Sequence, residues 1–473
     1  MAREYDFVII GGGAAGFACA VKLSELGKGR LRVAMVNDGK LGGTCVNVGC
    51  VPSKALIEAA KAAYGTSWSK IPGIRKEVEI GFGDVMNWVR RIIADLRREK
   101  YESLVERLNG VELIEGRASF RKDGTVTVEA DDEVLLVKGR KYLVATGSRP
   151  AIPPIEGLRE VGYMTSDDVW EMREKPDSLM VIGAGAVGVE IGQAMNRLGV
   201  QVSMVEVLDR VLPGMEPEIS RVITEVLGEE GIRVFTKTRV VRVTRKGERK
   251  VVELVTGEGR KVEEVDQILV ATGRRPNTDG LNLESLGVRI DRRGFVETDS
   301  TMRTSNPQIY AAGDVVSKRW MLETLAAREG VVAALNMYGE RAEMDYTGVP
   351  LVVFTEPQVA SIGLTEEEAV KELGGCSCRT LDVSELPKAR ITGQRAGIAK
   401  VVVDPSTGRV IGYHIVSPNA AEFALAASLF VRLGFTVEDV LWTHSVFPTF
   451  SESLKLVATK FIRAPELMPC CME

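Results

Sequence analysis

Histidine is nearly absent: His414 and His444 are the only two in 473 residues. A mechanism that needs a histidine base has almost no residue to draw on. Cysteine is scarce and odd in number, seven in all, which argues against the disulfide framework of a secreted protein. In a reducing compartment, paired cysteines read instead as metal-binding or redox-catalytic. No apolar run reaches the roughly 18 residues of a membrane span, so no membrane partner is expected. Charge of one sign is lacking too. The 61 Lys and Arg against 65 Asp and Glu leave a net charge of −4, which makes no electrostatic case for nucleic acid. The opening "MAREYDFVIIGGGAAG" runs straight into a strand pattern, without the charged, apolar and cleavage regions of a secretory signal. A cytoplasmic location is the expectation.

What is present is ordinary for an α/β protein of two or three domains: 45% hydrophobic residues, 27% charged residues and 48 Gly. Two segments share one grammar. "YDFVIIGGGAAGFACAVKLSELG" is an apolar strand, a Gly-rich turn and an Ala/Val/Leu helix, and "SLMVIGAGAVGVEIGQAMNRLGVQVSMVEVLD" repeats it. In each, G-x-G-x-x-G falls between strand and helix, at Gly11, Gly13 and Gly16, then at Gly183, Gly185 and Gly188. The first glycine permits a tight turn, the second lets a pyrophosphate approach the backbone, and the third allows close helix–strand packing. Two such motifs in this context predict two dinucleotide sites.

Further echoes support duplication. "YLVATGSRP" (142–150) and "ILVATGRRPN" (268–277) are buried-strand patterns that end in the same A-T-G turn, with Thr146, Gly147 and Gly273. "IYAAGDV" (309–315) ends in Asp314, whose carboxylate suits a ribityl or ribose hydroxyl. The stretch 84–108 has apolar residues at helical spacing with charges between them and predicts a structural amphipathic helix. From about 347 the pattern changes to short strands, a D-P-S-T-G hairpin turn and helices, a third α+β domain.

An acidic residue closing the second strand of such a unit grips the ribose 2′-OH and repels a 2′-phosphate. Glu206 stands there in the second unit and favours NADH, while nearby Arg210 tempers that preference and leaves NADPH open. In the first unit Asn37 holds the position, followed by Asp38. Asn can still bond a ribose hydroxyl.

"GKLGGTCVNVGCVPSKALIEAA" places Cys45 and Cys50 five positions apart, just after the first unit. In a regular helix that spacing separates them by about 7.5 Å along the axis and about 140° around it. A disulfide needs Cα atoms within about 7 Å. The pair can bond only if the first part is irregular, as Gly42, Gly43 and Gly49 would permit, with helix resuming after Pro52.

"GGTCVNVGCVPSK", the two fingerprints, the A-T-G turns and "AAGDV" resemble the pyridine nucleotide–disulfide oxidoreductases, in order and over essentially the whole chain. The resemblance implies an α/β fold of two Rossmann-like dinucleotide-binding domains and a C-terminal α+β dimerisation domain. Residues 1–150 and 276–346 would bind FAD, 151–275 would bind NADPH or NADH, and 347–473 would form the homodimer interface. It implies cofactor contacts at Gly11, Gly13, Gly16, Asn37, Asp38, Gly43, Thr44, Lys54, Thr146, Gly147, Gly183, Gly185, Gly188, Glu206, Gly273 and Asp314. Cys50 would lie against the flavin and Cys45 would be the outward, attacking thiol. Lys54 would pair with Glu190 near the flavin, and Ala186 stands where some relatives carry a Tyr gate.

Members that act on organic disulfides share a C-terminal H-P-T-x-S-E, whose His, oriented by the Glu, shuttles a proton. Here "HSVFPTFSE" puts Phe447 at the His position before Pro448 and Glu452, and His444 lies three residues earlier. Phe moves no proton. Hg(II) is a soft cation that prefers thiolates, and its two-electron reduction to Hg(0) needs no protonated leaving thiol. The mercuric-reductase branch of the family carries this cysteine motif, lacks the His and ends in adjacent cysteines. Cys470 and Cys471 match that pattern. Its members place Tyr where Phe447 stands. The expectation is therefore Hg(II), arriving as thiol complexes, captured by Cys470 and Cys471 of the partner subunit, passed to Cys45 and Cys50, and reduced by NAD(P)H through FAD. A lipoamide-dehydrogenase-like enzyme and a metal-binding or redox-sensing flavoprotein without turnover remain alternatives. Cys376 and Cys378 form a C-x-C that is either metal-binding or incidental.

Overall fold

A computed structural model describes residues 2–67, 73, 77–130, 133–316 and 320–463 of the chain. They fall into two compact units. One comprises Met1–Ala55, Met86–Ala151 and Gly273–Asp345, the other Leu56–Val85, Ile152–Thr272 and Tyr346–Glu473.

The first unit is built on a seven-stranded sheet. Its parallel part runs Val111–Glu115, Val33–Asn37, Arg3–Ile10, Glu133–Val144 and Ile309–Ala311. Arg3–Ile10 is central, and its last four residues, Phe7 to Ile10, are all buried. Such an unbroken apolar run is what a parallel strand covered on both faces requires. The antiparallel strands Arg117–Phe120 and Val126–Ala130 extend the other edge. Helix Ala14–Gly27 follows the central strand and packs against helix Glu323–Tyr338. The approach is close because a Cβ on Gly330 would lie 2.1 Å from the Ala15 carbonyl oxygen.

The amphipathic stretch is helical, with a refinement. An α-helix spans Phe82–Arg97, a π-helical turn Arg98–Glu102 follows, and a last short turn covers Ser103–Val105. The wider turn carries Tyr101, and such turns occur frequently at functional sites.

The second unit repeats the pattern with a five-stranded parallel sheet ordered Arg233–Phe235, Gln201–Val205, Ser178–Ile182, Gln267–Val270, Met164–Thr165. It also holds a three-stranded antiparallel sheet over Arg239–Lys246, Arg249–Thr256 and Gly259–Val265. The C-terminal part is an antiparallel sheet ordered Pro350–Val353, Gln358–Gly363, Val410–Ser417, Ile398–Val403, Ser377–Asp382. Helix Ala420–Arg432 buries one face, with Phe423, Ala424, Ala427 and Val431, in its core, and helix Glu452–Thr459 packs there with Leu454, Val457 and Ala458, around fully buried Tyr413. The D-P-S-T-G turn forms as expected: Asp404 N–H donates to the Arg409 carbonyl at 2.9 Å, and the flanking strands pair antiparallel.

Candidate active site

The cysteine segment breaks where its glycines allow. A short helix, Gly43–Asn47, carries Cys45; Val48 and Gly49 interrupt it; a second helix, Cys50–Ser67, starts on Cys50 itself. Helix therefore resumes two residues before Pro52, which sits in the first turn where its missing N–H costs nothing. A Cβ on Gly49 would stand 3.0 Å from the Thr44 carbonyl oxygen and 3.4 Å from the Cys45 Cα, so a larger residue in the break would be crowded. Asn47 ties the short helix down: its Nδ2 donates to the carbonyls of Leu41 and Gly43, and its Oδ1 accepts from Arg97 at 3.1 Å.

Both cysteines are thiols here, with no disulfide between them. Their sulfurs and a Glu323 carboxylate oxygen all lie within 4.8 Å of one another. The Cys45 thiol donates to Glu323 Oε2, and the Tyr101 hydroxyl donates to Glu323 Oε1 at 3.2 Å. The hydrogen bond to Cys50, burial, and the negative charge of Glu323 all hold the Cys45 thiol far above its ordinary pKa. Burial and the same carboxylate push the Tyr101 phenol up as well. The sequence did not point to Glu323 or Tyr101. Glu323 opens a helix remote from every motif, and Tyr101 lies in the stretch expected to be structural.

The two Gly-rich turns are alike in detail. Gly11 (φ +115°) and Gly183 (φ +103°) hold a backbone that L side chains rarely adopt. A Cβ would stand 2.2 Å from the Ala145 oxygen at Gly11 and 2.5 Å from the Ala271 oxygen at Gly183. Each first glycine thus abuts an A-T-G turn. The third glycines pack on the first: a Cβ on Gly16 would lie 1.9 Å from Gly11 O, and one on Gly188 would lie 2.0 Å from Gly183 O. At the second glycines there is room. Gly13 has only the Gly43 Cα at 3.7 Å, and Gly185 has nothing within 4 Å. The helices that start after Gly13 and Gly185 have neither a capping side chain nor an acidic first-turn residue. Their N–H groups and positive ends are left for an anion, which fits the pyrophosphates of FAD and a nicotinamide dinucleotide.

Asn37 is buried and serves the turn itself: its Oδ1 accepts from Gly12 N–H at 2.8 Å and its Nδ2 donates to the Gly39 carbonyl at 2.7 Å. Asp38 is exposed beside it. Glu206, also buried, accepts from Ala184 N–H at 2.8 Å and Leu208 N–H at 2.9 Å. Thr146 is fixed by Asn277, whose carbonyl accepts from Thr146 Oγ1 at 2.7 Å. A Cβ on Gly147 or Gly273 would meet nothing within 4 Å. Asp314 accepts from Ser148 Oγ at 2.8 Å, and Arg274 Nε donates to that same hydroxyl at 2.7 Å. Arg274 also reaches Thr44 Oγ1 at 3.5 Å.

Lys54 belongs to the first unit, one turn after Cys50, and Glu190 belongs to the second. Glu190 is buried on helix Ala186–Arg197, where its Oε1 accepts from Phe354 N–H at 2.8 Å. Phe447 and His444 are exposed. Glu452 is buried and accepts from Thr449 N–H at 2.9 Å. His414 is fully buried in the C-terminal sheet. Cys470 and Cys471 lie outside the described residues.

Comparison with known proteins agrees with this geometry. The family model for "Pyridine nucleotide-disulphide oxidoreductase" matches residues 5–330, and that family's dimerisation-domain model matches residues 349–458. A mercuric reductase of Staphylococcus aureus is 37% identical over 472 residues, covering 99% of this chain and 84% of the relative. A dihydrolipoyl dehydrogenase of Thermus scotoductus is 36% identical over 461 residues, covering 96% of both chains. Among solved structures, the Cu(II) complex of the HOCl-induced flavoprotein disulfide reductase RclA from Escherichia coli superposes with a TM-score of 0.86 at 26% identity, covering 98% of this chain and 100% of that one. The chain belongs to the pyridine nucleotide–disulphide oxidoreductases.

Proposed function

We propose that the protein reduces Hg(II) to Hg(0) at Cys45 and Cys50, with NAD(P)H as the electron source and the metal delivered as thiol complexes. The observation that carries the proposal is the grouping of two thiols with the Glu323 carboxylate within 4.8 Å, a group that holds no histidine among the described residues. FAD, when bound, supplies the passage of electron pairs from the nicotinamide to the sulfurs. The remaining steps belong to the chain. Two thiols displace two thiol ligands from the metal, two S–Hg bonds break and two form, and the protons of Cys45 and Cys50 end on the departing thiols. Glu323, hydrogen-bonded to the Cys45 thiol, accepts that proton first, and Tyr101 steadies the carboxylate. Two electrons then convert Hg(II) to Hg(0), both sulfurs return as thiolates that regain two protons from solvent, and no acid–base histidine is needed to protonate a leaving thiol.

In this proposal Lys54 and Glu190 are positioning residues beside the flavin. Residues 1–150 and 276–346 hold FAD, 151–275 hold the nicotinamide nucleotide, and 347–473 form the interface of a cytoplasmic homodimer. Support for the dimer comes from the matched dimerisation domain and from exposed apolar side chains there, Leu425, Leu429, Leu433, Trp442, Val446 and Phe447. The partner's Cys470 and the partner's Cys471 capture the metal. Among the described residues no helix is long and apolar enough to cross a membrane.

The Thermus relative favours a second reading, oxidation or reduction of lipoamide at the same sulfurs. Oxidation of NADH and NADPH with HgCl2 plus excess small thiol, set against oxidised lipoamide, separates the two. Mercury-dependent oxidation with little lipoamide turnover is expected. Robust lipoamide turnover, or no mercury dependence, overturns the proposal.

A further inference from the structure

We propose a second metal site, for Zn(II), formed by Cys376, Cys378 and Glu366 and independent of the reading at Cys45 and Cys50. The two sulfurs lie 3.1 Å apart, and with a Glu366 carboxylate oxygen all three ligand atoms fall within 4.8 Å of one another. Cys378 is on the edge strand Ser377–Asp382, where it pairs opposite Val402, and Thr380 pairs opposite Lys400. Strand alternation therefore puts Cys378 and Lys400 on one face.

Lys400 is buried and bonds three carboxylates: Glu216 at 2.9 Å, Glu218 at 2.9 Å and Glu366 at 2.6 Å. His414 pairs opposite Lys400, and burial keeps it neutral. Three carboxylates against one ammonium leave an excess of negative charge. Glu218 Oε2 is buried and has no hydrogen-bond partner among the described residues. This field favours a dication and opposes bare thiolates, so cation entry and loss of the thiol protons are a single event. Glu366 can turn one oxygen to the metal because Glu216 and Glu218 still hold Lys400. The half-exposed side chain of Glu366 marks the way in.

Sulfur spacing suits tetrahedral better than linear coordination. Two Zn–S bonds of about 2.3 Å at the tetrahedral angle separate their sulfurs by about 3.8 Å. The pair need open only slightly for that, but much further for two collinear bonds to Hg(II).

The test uses the full-length FAD-loaded protein with Cys45, Cys50, Cys470 and Cys471 changed to Ser. Of the remaining thiols, Cys19 is fully buried and does not compete. Titration with Zn(II) against a chromophoric chelator should show a single site. C376S/C378S should abolish it, and E366Q should weaken it at least about tenfold. In the otherwise natural chain, C376S/C378S should keep flavin content and mercury-dependent turnover, which shows that the fold survives. Equal zinc binding with and without Cys376 and Cys378, or none in either, overturns the site. Unchanged affinity in E366Q overturns the carboxylate's place in it.

Discussion

Asn37 and Glu206 hold the same place in the two nucleotide units: each closes a second strand and accepts the N–H between the first two glycines, from Gly12 and from Ala184, both at 2.8 Å. The fingerprint's acidic position is thus also the brace of the Gly-rich turn. An amide suffices in the first unit. In the second, a carboxylate braces the turn and adds a negative charge there.

Glu206→Ala leaves the buried Ala184 N–H and the partly exposed Leu208 N–H without their acceptor, at about 1–3 kcal/mol for the buried group. The KM for NADH should rise at least about tenfold, with flavin content unchanged. Glu206→Gln should keep much of the brace, lose the charge, and move the NADPH-to-NADH ratio of kcat/KM upward. Steady-state kinetics with both nucleotides, beside the flavin absorbance of the purified protein, decide the matter.

Glu323→Gln removes a negative charge that holds the Cys45 proton in place. The thiol pKa should fall, so that reduced Cys45 is alkylated by iodoacetamide faster at a fixed pH, at least about tenfold where a carboxylate had opposed ionisation. Mercury turnover should fall because the proton acceptor is gone. A pH profile of alkylation that does not move would show that Glu323 does not act on Cys45.

The fold was legible where a motif forces backbone geometry. Gly11 and Gly183 sit at positive φ beside carbonyls of the A-T-G turns, so any larger residue would have destroyed the pattern. The break between Cys45 and Cys50 was legible from Gly49 within it, although the start of the second helix at Cys50 rather than after Pro52 was not. Glu323 and Tyr101 could not be read, because their meeting depends on the packing of two helices more than 200 positions apart. The carboxylate cluster at Lys400 was hidden likewise. It is assembled from a helix start near Glu216, another near Glu366, and a strand whose alternation is masked by burial on both faces.

His414 should make the C-terminal sheet sensitive to acid. Its Nε2 faces the Leu364 carbonyl at 2.9 Å, so that nitrogen carries the proton, and its Nδ1 accepts from Ser361 at 2.8 Å. Burial holds its pKa below the ordinary value. The unfolded chain therefore takes up a proton below about pH 6.5 that the folded chain does not, and stability falls as pH drops, by up to about 1.4 kcal/mol per pH unit. The lowered pKa of Glu218 adds acid sensitivity of the same sign at lower pH. His414→Gln should flatten the decline of Tm between pH 7 and pH 5, whatever its effect on Tm at neutral pH.

Cys470→Ala with Cys471→Ala should leave flavin content and the reactivity of Cys45 unchanged. If the tail strips mercury from strong ligands, turnover should fall most when Hg(II) is supplied with excess dithiol, and least when it is supplied with a weak ligand such as chloride. An equal loss under both conditions would mean that the tail supports the fold rather than delivery.

Phe447→His tests the missing proton shuttle directly. Phe447 is exposed in the single chain, directly before Pro448, and Glu452 is already fixed by Thr449 N–H at 2.9 Å. Burial raises the Glu452 pKa, and a histidine near enough to share its charge would offset part of that cost. A positioned acid–base group contributes about 10²–10⁴-fold to proton transfer. The variant should therefore gain at least about tenfold in NADH-dependent reduction of oxidised lipoamide, with mercury turnover little changed, because exchange at Cys45 and Cys50 conserves protons without it. If neither activity moves, Phe447 does not stand where the shuttle acts.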